Sequence, residues 1–179
     1  CGEDLEYDEA YLALEQAAKA KPEQQMGDQI IPGEEPRWSD VRDRSLEVLL
    51  RTKDLTVVVH LLRAVLRTDG VGGFADGLEL TLGLLERYWE SIYPDSPIRR
   101  MNTLASLCDV GTVLGPLREA PLVESRGLGK FSLNDVDLAT SPPPAAEGQE
   151  PPVSMATIDA AFLDVDIDDR SVSVVGVVR

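Results

Sequence analysis

The run LTVVVHLLRAVLRT (55–68) constrains the fold more than any other stretch, because its apolar residues leave almost no polar face. Val57, Val58, Val59, Leu61, Leu62, Val65 and Leu66 cover nearly the whole circumference of a helix, so this segment must lie between neighbours. The β-branched residues at 56–59 would also suit a strand. The length of the run and the spacing of Arg63 and Arg67 favour a helix, capped by Asp54 and closed by Asp69 and Gly70.

Amphipathic segments able to surround it are legible on both sides. Asp8 is placed to cap a first helix with Tyr11, Leu12 and Leu14 on its apolar side, ended by Lys21 and Pro22. A second starts near Trp38 and runs to about Arg51, with Val41, Ser45, Val48 and Leu49 inward. Gly70, Gly72 and Gly73 read as an interhelical loop. Residues 72–93 then carry a stripe of Phe74, Leu78, Leu82, Leu85, Trp89 and Ile92, stopped by Pro94. A further helix opens at Ser96 with Pro97 in its first position and places Met101, Leu104, Ala105 and Cys108 on its inner face.

The character changes after Pro116. LVES (122–125) and KFSL (130–133) flank Gly127 and Gly129 and predict a β-hairpin. SPPPAAEGQEPP (141–152) is a proline-rich linker, Ser154 starts a short helix through Ile158, Ala161 and Phe162, and SVSVVGVV (171–178) is β-prone. The expected fold is mainly α: a multi-helix bundle or array with a small C-terminal β-hairpin and strand extension. The expected organisation is a helical domain with the hairpin over 1–140, a linker over 141–152, and a short helix with a β-prone tail over 153–179.

Charge narrows the function classes. With 32 acids against 17 bases the net charge is −15, and the acidity sits at the two ends. Residues 1–35 carry ten acids and two bases, while 36–126 are nearly neutral with thirteen and twelve. A carboxylate-rich surface repels phosphate backbones, which argues against nucleic acid as a partner. No apolar run reaches the roughly 20 residues of a membrane helix, so direct membrane insertion is not expected. Two cysteines, Cys1 and Cys108, give no disulfide framework and suit a reducing compartment.

The residues that bear chemistry do not assemble into a motif. His60 is the only histidine and lies inside the most apolar helix, where it reads as a core or boundary residue, and Cys108 reads as core. Asp164, Asp166 and Asp168 resemble the start of a calcium loop, yet Asp169 and Val175 stand where glycine and glutamate are required. No catalytic residue, metal site or cofactor is expected.

The segment KPEQQMGDQIIPGEEPRW (21–38) remains. Pro22, Pro32 and Pro36 fix φ. Ile30 and Ile31 can anchor on the bundle, and Trp38, with Trp89, adds further structural anchors. This reads as an ordered strap whose Glu23, Gln24, Gln25, Asp28, Glu34 and Glu35 form a protein-docking face. The alternative is a carboxylate-dependent hydrolase that uses the acids of this loop, with Trp38, Tyr88 and Trp89 as a sugar-stacking surface.

CGEDLEYD (1–8), the 21–38 segment, RTKDLTVVVHLLRAVL (51–66), LLERYWESIYP (84–94) and RRMNTLASLCD (99–109) follow one another as in a known family. In order and spacing they resemble the ImpA-type N-terminal domain of the TssA-type proteins of the bacterial type VI secretion system. The sequence departs from that pattern between Pro94 and Arg99, where a longer acidic loop is usual, and from Asp169 onward. The resemblance implies a non-enzymatic, cytoplasmic assembly component that docks baseplate, sheath, tube or membrane-complex proteins. It also implies that the full-length protein is a homo-oligomer through a C-terminal region absent from this chain.

Overall fold

The computed structural model describes residues 2–21, 24–26, 29–142 and 153–165, with the backbone alone at 24–26 and 29–31. Its elements in order are α1 (Glu9–Ala17), β1 (Gln24–Met26), β2 (Gln29–Ile31), α2 (Trp38–Arg51), α3 (Leu55–Thr68), α4 (Gly70–Tyr88) and α5 (Pro97–Ala105). A π-helical turn (Val110–Leu114), α6 (Gly115–Glu119), β3 (Pro121–Ser125), β4 (Gly129–Ser132), α7 (Leu133–Thr140) and α8 (Met155–Asp164) follow.

Helix α3 is the centre of the larger core, with Leu55, Val57, Val58, Leu61, Leu62, Ala64 and Leu66 all buried. The Asp54 carboxylate caps it by accepting from the Thr56 N–H at 2.7 Å. Helices α2 and α4 pack on α3, α1 lies against α2, and α5 lies against α3. The short connections make α3 antiparallel to both neighbours, so α2 and α4 run parallel. Arg42 reaches Asp69 at 3.6 Å near their N-terminal ends, and the Tyr93 N–H donates to the Lys53 carbonyl at 2.9 Å just past their C-terminal ends.

The inner face of α4 differs from the expected stripe. Phe74, Gly77, Thr81 and Leu84 face the core, whereas Leu78, Leu82 and Trp89 are exposed and the helix stops at Tyr88. Close approach to the bulky face of α3 selects small residues: a Cβ at Gly77 would stand 2.6 Å from the Leu62 Cδ2. Gly70, Gly72 and Gly73 form the first turn of α4 rather than a loop, entered with Gly70 at φ +68°.

Helix α5 is also rotated from expectation. Arg100 is its buried residue, while Met101, Ala105 and Cys108 are exposed and only Leu104 is partly buried. The cause is the end of α4. Arg100 donates Nε to the Pro94 carbonyl at 2.8 Å and Nη1 to the Trp89 carbonyl, and stacks 5.3 Å from the Trp89 ring centre. Carbonyls left over at a helix C-terminus favour a cation. In α1, Tyr11 and Leu14 are buried as expected but Leu12 is exposed.

The hairpin forms as β3 and β4, antiparallel, with Val123 opposite Phe131 and Ser125 opposite Gly129. Helix α7, which the sequence reading missed, starts from a capping box in which Ser132 and Asp135 satisfy each other's backbone N–H. Helix α8, capped by Ser154, returns to the hairpin, where Ile158 and Ala161 close a second core with Val123 and Phe131; Phe162 stays at its edge. Residues 143–152 of the linker, Asp166, Asp168 and the 171–178 run lie outside the described residues.

Candidate docking site

The segment between α1 and α2 is a pinched hairpin rather than a plain strap. Lys21 and Glu34 exchange backbone hydrogen bonds at 2.9 and 3.0 Å, closing the base of the loop. Above this pinch β1 and β2 pair antiparallel, Gln25 opposite Ile30. β-Branched Ile30 and Ile31 suit the extended backbone of β2. At the base the Lys21 ammonium lies 2.7 Å from Glu34 Oε2, and this bond holds the exposed Glu34 carboxyl below its ordinary range.

Glu35 turns the other way. Its Oε2 accepts from the Trp38 indole N–H at 3.1 Å, fixing the ring at the start of α2. Arg67 of α3 lies 4.1 Å and Arg63 5.8 Å from the ring centre. Such stacking contributes about 0.5–1 kcal/mol when solvent reaches it. Arg67 Nη1 also donates at 3.2 Å to the carbonyls of Arg63 and Thr112, which ties α3 to the π-helical turn. Asp109 opens that turn by accepting from the Thr112 N–H and hydroxyl, both at 2.7 Å, and these bonds keep its carboxyl below the usual range.

Of these residues Glu35, Trp38 and Arg67 line an open groove of about 950 Å³. Glu35 and Trp38 stand at its mouth, the α3–α4 junction and the π-helical turn form its sides, and β3 with Lys130 closes it. Its charged lining is Glu35, Asp69, Glu119 and Glu124 against Arg67 and Lys130, a net acidic surface. Lys130 and Glu124 pair across the hairpin at 2.9 Å.

Of the residues the sequence singles out, Glu35 and Trp38 meet at this groove, while Glu34 pairs with Lys21 at the base of the hairpin. The side chains of Glu23, Gln24, Gln25, Asp28, Ile30 and Ile31 lie outside the described residues. Trp89 and Tyr88 sit at the far end of α4, nineteen residues of helix from the Trp38 end, about 28 Å at the usual rise. The two tryptophans therefore form no common stacking surface. Glu34 and Glu35 hold separate partners, and Glu34 is shifted away from the raised pKa a general acid needs. Arg67, Arg63 and the 109–116 turn were not anticipated as site residues. The i,i+4 spacing of the arginines was visible, but their meeting with Trp38 is tertiary.

Among the described residues no cluster of three or more His, Cys, Asp or Glu could hold a metal ion, and no helix is long and apolar enough to cross a membrane. The family model for ImpA, N-terminal, of the type VI secretion system matches residues 1–109. The type VI secretion system component TssA1 of Pseudomonas aeruginosa is 39% identical over 179 residues, 94% of this chain and 50% of that protein. A solved N-terminal domain, including the conserved ImpA_N region, of the TssA component from Burkholderia cenocepacia superposes with a TM-score of 0.63 at 29% identity. That match covers 89% of this chain and 64% of the solved one. The chain thus spans about half the length of the curated relative it matches. It belongs to the ImpA N-terminal family of type VI secretion proteins.

Proposed function

We propose that this chain is a docking domain that helps assemble the type VI secretion apparatus. In this reading it works in the bacterial cytoplasm and binds a baseplate, sheath, tube or membrane-complex protein. The observation that carries the reading is the mouth of the groove: Glu35, Trp38 and Arg67 hold one another in place beside an open, net acidic cleft. A pre-organised aromatic with fixed polar neighbours is a common anchor for a partner segment. The acidic lining suits a basic one.

The docking face comprises Glu23, Gln24, Gln25, Asp28, Glu34 and Glu35. Its test is a pull-down of purified apparatus proteins with the wild-type domain and with a variant carrying Glu23→Ala, Asp28→Ala, Glu34→Ala and Glu35→Ala. One component is expected to bind the wild type and to be retained less by the variant. Equal retention of every component by both proteins contradicts the assignment of this face.

A further inference from the structure

Helices α2 and α4 flank α3 without covering it completely, and between them runs a second groove of about 460 Å³. Leu49 and Leu84 form its buried floor. Leu46, Leu50 and Leu80 rise from its walls at 47%, 86% and 40% exposure, with Glu47 and Lys53 beside them. Three large aliphatic side chains lining one groove form an apolar surface of a kind that marks an interaction site. The groove runs over the two turns from Leu46 to Lys53, about 10 Å.

The rims are charged in a polar pattern. Because α2 and α4 run parallel, Asp43 and Asp76, one turn before Glu47 and Leu80, stand toward the N-terminal ends of both helices. Arg87 stands toward the C-terminal end of α4, and Lys53, just past the end of α2, donates Nζ to the Leu49 carbonyl at 2.7 Å, which holds its charge at that end of the groove. Arg42, also at the N-terminal end, is already paired with Asp43 at 3.1 Å and Asp69 at 3.6 Å.

We infer that this groove docks an amphipathic helix of a partner protein, laid antiparallel to α2 and α4. Helices ordinarily carry acids in their first turn and bases in their last. In the antiparallel direction the first-turn acids of the guest meet Lys53 and Arg87, and its last-turn bases meet Glu47 and Asp76. The macrodipoles then also oppose. Apolar guest residues at i, i+3, i+4 and i+7 fill the space above Leu49 and Leu84. The footprint decides between a helix and a second copy of this chain. Lined by seven residues over about 10 Å of α2, the groove falls far short of the roughly 800 Å² and roughly 20–30 residues that each partner of a stable dimer buries.

The probe is a synthetic, end-capped helical peptide of about fourteen residues with leucines on one face, glutamates in its first turn and lysines in its last. A second peptide has the two charged ends exchanged. Fluorescence anisotropy is expected to show the first peptide binding about tenfold more tightly, a difference of about 1.4 kcal/mol. Leu50→Lys and, separately, Leu80→Lys should abolish binding while the thermal melt and circular dichroism stay unchanged. Glu34→Ala with Glu35→Ala should leave it intact, which separates this surface from the cleft at Trp38. Absence of binding by either peptide, equal affinity for both, or binding that survives both leucine variants overturns the proposal. So does a dimer in light scattering that Leu50→Lys dissolves, since a second copy would then occupy the groove.

Discussion

A half-buried histidine and a buried arginine show what single residues contribute. His60 sits in the most apolar helix with its Nδ1 unpartnered, and burial, aided by the nearby Arg63 charge, pushes its pKa down to about 4. The ordinary imidazole value is near 6.5, so between these two values the unfolded chain binds a proton that the folded chain refuses. The stability contributed by the neutral ring is complete above about pH 6.5 and falls toward pH 4 by on the order of 3 kcal/mol. Burial pushes the Asp54 carboxyl up, in the opposite sense, so the readout is a difference between two proteins. His60→Phe should flatten the denaturant-measured stability across this range relative to wild type; parallel curves contradict the account. Arg100 is the second case. Arg100→Met strips the Trp89 and Pro94 carbonyls of their donor, and should cost about 2–3 kcal/mol in urea unfolding. A loss within about 0.5 kcal/mol would mean that water satisfies those carbonyls. His60 was legible in the sequence as a core or boundary histidine, though not its unpartnered Nδ1. The burial of Arg100 was not, because its partners are main-chain atoms of another element.

At the scale of elements, existence was easier to read than facing. Helix α2 matches its pattern because it offers only one consistent inner face, and α3 because it is apolar almost all round. Helix α4 carries leucines around most of its circumference, and the sequence could not reveal that α3 approaches closely enough to demand Gly77 and Thr81 at the contact. Two glycines of α4 therefore respond oppositely to substitution. Gly77→Leu must displace the fully buried Leu62 and should destabilise by about 2 kcal/mol. A Cβ at Gly83 meets nothing within 4 Å, so Gly83→Ala should stabilise by about 0.5–1 kcal/mol. Thermal melts of both variants check this, and a shift in the same direction contradicts the packing described. Helix α7 was missed because its capping box uses Asp135 rather than the usual glutamate or glutamine. The 21–38 segment was legible in its acidity. Its pinch depends on Lys21 meeting Glu34, a pairing that sequence spacing does not specify.

Across the whole molecule, two cores organise two surfaces. The larger core around α3 leaves the α2–α4 groove open, and the junction with the smaller hairpin core leaves the acidic cleft beside Trp38. The sequence foretold neither cleft, since each lies between elements whose separation only tertiary packing sets. It did single out Glu35, which lines one of them, and the order of its family-like blocks agrees with the family that the comparisons show. The central claim is that the domain works by docking other apparatus proteins through the 21–38 hairpin. Isothermal titration of the domain with each purified baseplate, sheath, tube and membrane-complex protein tests it most directly. The account predicts saturable binding of one component, weakened about tenfold or more by the combined Glu23, Asp28, Glu34 and Glu35 to alanine changes. Binding of no component, or an affinity unmoved by those four changes, would contradict it.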